Sequence, residues 1–70
     1  MGNKQKWLER NIAAGKNVIR RALESAETTS DPELREADEW LAQTEQENVE
    51  RNQEGLDRLI AWKKANGYPT

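Results

Sequence analysis

The chain has 70 residues, no cysteine, no histidine and a formal net charge of −2. That length allows one small and marginal core. The missing cysteine excludes disulfides and thiolate metal sites, and the missing histidine removes the commonest general base and transition-metal ligand.

The charge falls in blocks. Residues 1–24 hold six bases against two acids (+4), residues 25–57 eleven acids against two bases (−9), and residues 58–70 three bases (+3). Opposite blocks joined by a turn attract, so the chain is expected to fold back on itself. No apolar run approaches the ~18–20 residues of a membrane span, and the N-terminus lacks the apolar stretch of a secretory signal. Met1-Gly2 begins like a myristoylation site, but Lys6 stands where Ser or Thr is expected. The expected location is cytoplasmic.

In chain order, Leu8, Ile12, Gly15, Ile19, Ala22 and Ala26 step by 4, 3, 4, 3 and 4, the seam of an amphipathic helix over about residues 4–27. A break follows at residues 28–31. Ser30 with Glu33 has capping-box spacing, and Asp31 before Pro32 is a second N-cap candidate.

The second helix is expected over about residues 32–66. Its stripe reads 34, 37, 41, 45, 49, 52, 56, 59 and 63, with one extra step of four, a stutter, between 41 and 49. No proline or turn dipeptide interrupts residues 33–65. One long helix is therefore favoured over a bend near residues 48–55 that would give a three-helix bundle. Lys63 and Lys64 in the last turn, Asn66-Gly67 and then Pro69 mark its end. The fold class is all-α, an antiparallel helical hairpin with coiled-coil character, expected to pack as an oligomeric bundle.

Folding the first helix back through the turn pairs positions that sum to about 60: Ala26 with Leu34, Ile19 with Leu41, Gly15 with Glu45, Leu8 with Asn52. The second helix then overhangs by about ten residues, roughly 15 Å. The overhang carries Leu56, Leu59, Ile60 and Trp62, which Met1 and Trp7 cover only in part. Large apolar residues on a solvated helix end predict a binding surface. Leu56, Leu59, Ile60, Trp62 and Trp7 are thus the candidate partner-binding residues, and Trp is a frequent hot-spot residue. The expected partner is a second copy of the chain, another protein, or both.

Catalytic residues are not expected. Ser25 and Ser30 have no histidine to activate them, and the carboxylates lie along one helix rather than across a cleft. Cofactor-binding and metal-ligating residues are not expected either, since the glycines are isolated and the Glu-x-x-His pattern of bundle metal sites is missing. No small-molecule substrate is implied. An alternative is nucleic-acid binding by Lys6, Arg10, Lys16, Arg20 and Arg21. A further alternative makes Glu36, Glu39, Glu47, Glu50, Glu54 and Asp57 an acidic mimic of nucleic acid. The plainer reading of that acidic face is helix solubility, with Arg35–Glu39 and Glu47–Arg51 as i,i+4 pairs. The expected function is a non-enzymatic protein–protein interaction module: a small regulator, inhibitor, adaptor or assembly subunit.

The start of the second helix, Ser30-Asp31-Pro32 with Leu34 and the looser Arg51-Asn52, resembles the subunits of type III secretion needles. The resemblance implies a hairpin architecture and no membership. The polar ending Gly67-Tyr68-Pro69-Thr70 departs from the apolar C-terminus that such subunits bury.

Overall fold

A computed structural model describes residues 3–70. Met1 and Gly2, on which the acylation reading and part of the expected cover fall, lie outside the described residues. Two helices, α1 (Lys4–Thr28) and α2 (Pro32–Ala65), pack antiparallel in a rod of 53 × 15 × 14 Å. No strand occurs among the described residues. α2 is unbroken over 34 residues, the continuous helix that its Gln, Glu, Arg and Ala content favours.

The termini follow from local chemistry. Asp31 is the N-cap of α2: its Oδ1 accepts from the Glu33 amide at 2.9 Å, and Pro32 sits in the first turn. Of the two candidates, the Asp31 cap is therefore the one formed. α2 ends in a Schellman motif. The Tyr68 amide donates to the Lys63 carbonyl and the Gly67 amide to that of Lys64, with Gly67 at φ 76°. Tyr68 then stacks on Trp62 with ring centroids 5.3 Å apart, which supplies the apolar contact of that motif.

The turn has a clamp that the sequence pattern did not suggest. Arg35 leaves Glu39 and reaches across to α1, where its guanidinium donates to the carbonyls of Ala26 and Thr29 at 3.2 and 2.9 Å. Those carbonyls belong to the unpaired, partly negative end of α1, so a cation satisfies both their hydrogen bonding and their field. Neither expected pair, Arg35–Glu39 or Glu47–Arg51, forms. The ion pair seen among the described residues is Arg20–Glu24 at 3.3 Å, and it is exposed.

The seam of α1 is as its spacing predicts: Leu8, Ile12, Gly15, Ala22 and Ala26 are buried and Ile19 is partly so. The seam of α2 differs from the predicted stripe. It runs through Asp38, Ala42, Glu45, Val49, Asn52, Leu56, Leu59 and Lys63, all buried or half-buried, in strict steps of 4 and 3. There is no stutter. A straight continuous helix keeps its phase, and α1 offers the same strict repeat to pack against. Carried back from Val49, that phase reaches Ala42 and Asp38 instead of Leu41, Ala37 and Leu34.

Register is corrected in the same way. A Cβ on Gly15 would lie 2.5 Å from Val49 Cγ2, and one on Gly55 would lie 3.9 Å from Leu8 Cδ2. These pairs sum to 64 and 63, about one helical turn beyond the expected 60. The Val49 side chain seats against the Gly15 backbone, in the space that a side chain at position 15 would need. The Lys63 ammonium donates to Gln5 Oε1 at 2.8 Å, so α1 reaches the last turn of α2. The overhang is accordingly about five residues, half of that expected: at a sum of 64 Lys4 meets level 60 and α2 runs to Ala65.

Candidate interaction surface

The large apolar residues of α2 have divided. Leu56 is buried in one cluster with Leu8, Ile12 and Val49, and Leu59 and Ile60 pack against it. At the turn end, Leu34 is 57% exposed, Trp40 67% and Leu41 38%. Trp7 and Trp62, at the open end, are both more than half exposed. Of the five candidate partner-binding residues, then, Leu56 serves the core, Leu59 and Ile60 flank it, and Trp62 and Trp7 face solvent. Leu34, Trp40 and Leu41 were missed. The signal that would have found them is the unbroken heptad phase of Val49, Leu56 and Lys63, which excludes all three from the seam.

Leu34, Leu41, Trp7 and Trp62 share a side, while Trp40 lies on the outer flank of α2 with Glu36. At about 100° per residue, Leu34, Ala37, Leu41, Thr44, Asn48, Gly55, Leu59 and Trp62 lie within about 50° of one line on α2, roughly a quarter-turn or slightly more from the α1-facing seam. Trp7, Asn11, Ala14, Val18, Arg21 and Ser25 form the matching line on α1. A groove lined by Asn11, Glu45, Asn48, Val49, Arg51 and Asn52 joins the two lines on one side of the rod. Of the fourteen residues on these lines, Arg21 alone carries a charge. Glu33 and Arg51 stand at the margin.

On the opposite side, a second groove is lined by Leu23, Ala26, Glu27, Arg35 and Glu39. The same helical phase places Glu9, Lys16, Arg20, Asp57 and Lys64 there, with Gln46 and Gln53. The rod therefore has a charged side and a charge-poor side. The charge-poor side holds exposed Leu34 and Leu41 at its turn end and exposed Trp7 and Trp62 at its open end.

The candidate nucleic-acid residues Lys6, Arg10, Lys16, Arg20 and Arg21 are all exposed, Arg21 on the line of Trp7 and Ala14 and the other four on the outer and charged surfaces of α1. Arg20 is engaged by Glu24 and by Asn17 Oδ1. Glu36, Glu39, Glu47, Glu50, Glu54 and Asp57 are exposed along the outer surface of α2. Folding also concentrates charge by end. Residues 22–39 hold seven acids and Arg35, a net of −6, whereas Lys4, Lys6, Arg58, Lys63 and Lys64 give the open end +5 with no acid between residues 3–8 or 58–70.

No group of three or more acidic side chains among the described residues is placed to hold a metal ion. Among the described residues, no helix is long and apolar enough to cross a membrane. Comparison with known proteins adds nothing to this geometry: no family model matches the chain, and neither a curated protein nor a solved structure matches it significantly.

Proposed function

We propose that this helical hairpin is a non-enzymatic protein–protein interaction module, a small regulator, inhibitor, adaptor or assembly subunit that works through its charge-poor side. The observation that carries this reading is the exposure of Leu34, Leu41, Trp7 and Trp62 on that side of a rod of only 70 residues, with Leu23, Trp40 and Tyr68 exposed elsewhere. A chain this short has few large apolar residues, and leaving four of them in water on one side disfavours the free state and favours a covered one. Tryptophan in such a patch supplies the large, rigid contact area typical of binding hot spots.

The test is a variant with Leu41→Asp and Trp62→Asp. Both residues are exposed, so helicity by circular dichroism should be unchanged. Immobilised wild type should retain a saturable partner, itself included, that the variant does not. Equal retention by the two proteins would reject this surface.

A second reading is nucleic-acid binding by Lys6, Arg10, Lys16, Arg20 and Arg21, supported by their exposure away from the seam. It requires retention on RNA or DNA at ~50 mM salt that falls steeply by ~200 mM. The acidic-mimic reading instead requires that the chain compete with nucleic acid for a basic protein.

A further inference from the structure

From the charge-poor side of the rod, we infer that the partner is a second copy of this chain, packed antiparallel about a two-fold axis at the level of Asn48. The inference rests on the interaction reading above and specifies its partner. Three observations carry it, and each concerns a different property of the same face.

The first is self-complementarity of size. In an antiparallel pairing centred on residue 48, positions that sum to 96 meet. Leu34 then meets Trp62, Ala37 meets Leu59, and Leu41 meets Gly55. Thr44 meets Asn52, and Asn48 meets itself. Large residues face small or flat ones, and polar residues face polar ones at the waist. A single buried Asn level of this kind fixes register between helices.

The second is agreement between the two helices. Within one hairpin, Gly15 lies against Val49, a sum of 64. A two-fold at residue 48 of α2 therefore falls at residue 16 of α1, since 64 − 48 = 16. There it pairs Ala14 with Val18 (14 + 18 = 32), Trp7 with Ser25 (7 + 25 = 32) and Asn11 with Arg21 (11 + 21 = 32), a polar pair that leaves the guanidinium at the edge of the face. One axis thus serves both lines of the face. Neighbouring contacts about a quarter-turn apart on each helix are those of a four-helix bundle.

The third is charge. The antiparallel arrangement sets the −6 turn end of each copy beside the +5 open end of the other, while a parallel one sets like beside like. On the outer flank, Arg58 of the second copy falls at level 38 (96 − 58), beside Glu36 and Trp40. Its Arg51 falls at level 45 (96 − 51), beside Glu47. A buried patch of about 800 Å² per copy is the usual size for a specific interface. It would take up roughly 14% (800/5572) of the 5572 Å² surface of the rod.

Sedimentation equilibrium tests the state. The wild type should move from 8.1 kDa toward twice that mass between about 1 µM and 1 mM. Leu41→Asp with Trp62→Asp should stay at the lower mass with unchanged helicity. A wild type that remains at the lower mass throughout overturns the proposal. Because the chain has no cysteine, position is tested by single thiols. Asn48→Cys should oxidise to a covalent dimer, while Gln53→Cys, on the charged side, should not. The reverse result overturns this face.

Orientation is tested by Glu36→Lys and Arg58→Glu. These residues are 22 positions apart on one helix, about 33 Å, so they cannot pair within a chain. Each single change should weaken association about tenfold, two like-charge contacts per dimer being introduced. The double change should regain most of the loss. No recovery overturns the antiparallel register. The broader reading fails separately: a monomeric wild type that still captures a partner through Leu41 and Trp62 leaves the interaction module standing and removes only the second copy.

Discussion

The two halves of α2 contain similar apolar residues with opposite fates. In the open half Leu56 is buried and Leu59 and Ile60 are half-buried, while in the turn half Leu34, Trp40 and Leu41 face solvent. The turn-half seam is made of Ala42, Asp38 and Glu45 against Ala22, Ala26 and Gly15. Small residues let the helices close together there, and Asp31 and Arg35 secure the turn by hydrogen bonds. The open half is held by side-chain volume. Apolar content alone therefore does not locate the core. Phase does, and whatever phase excludes is left for another surface.

The largest expected effects separate the halves directly. Leu56→Ala removes a buried side chain from a four-residue cluster and should destabilise by about 2–5 kcal/mol, enough to unfold much of the population. Leu41→Ala, the same chemical change, should lie within about 0.5 kcal/mol in denaturant melts at low micromolar concentration. Equal losses would place Leu41 in the seam and restore the stutter. Raising the concentration sharpens the contrast, because a face used between copies makes Leu41→Ala increasingly costly.

Gly15→Val comes next. Even a Cβ at Gly15 would stand 2.5 Å from Val49 Cγ2, so the backbones must separate. A loss of about 1–3 kcal/mol is expected. Gly15→Val with Val49→Ala should recover part of it. Absence of recovery would mean that Val49 is not the obstacle.

Asp31→Ala should cost about 1 kcal/mol, since it removes the cap accepted from the Glu33 amide. Ser30→Ala should do little, because Asp31 and not Ser30 makes the cap. A reversal would show the capping box of Ser30 and Glu33 to be the working arrangement in solution.

Much of the fold was legible in the sequence for definite reasons. The repeat of Leu8, Ile12, Gly15 and Ile19, the Asp-Pro start and the Asn-Gly end each name a local physical requirement, and each reads correctly. What misled was the turn half of α2. Leu34, Ala37 and Leu41 form a stripe as regular as a core stripe, and only the α1 partner decides which of two adjacent stripes turns inward. Register depended on the close approach at Gly15, which a single sequence signals only as an isolated glycine. The candidate surface followed from register, so a one-turn shift halved the expected overhang and left Leu34, Leu41, Trp7 and Trp62 exposed at the two ends of one side.

The smallest expected effect has the opposite sign and tests both levels at once. Gly55 lies inside a helix with ordinary φ, and a Cβ there would meet Leu8 Cδ2 at 3.9 Å, an ordinary contact. Gly55→Ala should therefore stabilise the single hairpin by about 0.4–1 kcal/mol through lost freedom of the unfolded chain. That gain should be seen at low concentration, where copies are separate. Between copies, Gly55 is the small residue that receives Leu41, so the added methyl should weaken association in sedimentation while the melt at low concentration improves. A stabilised hairpin with unchanged association would mean that Leu41 of a second copy does not lie over Gly55. A destabilised hairpin would mean that Leu8 packs closer to Gly55 than ordinary contact.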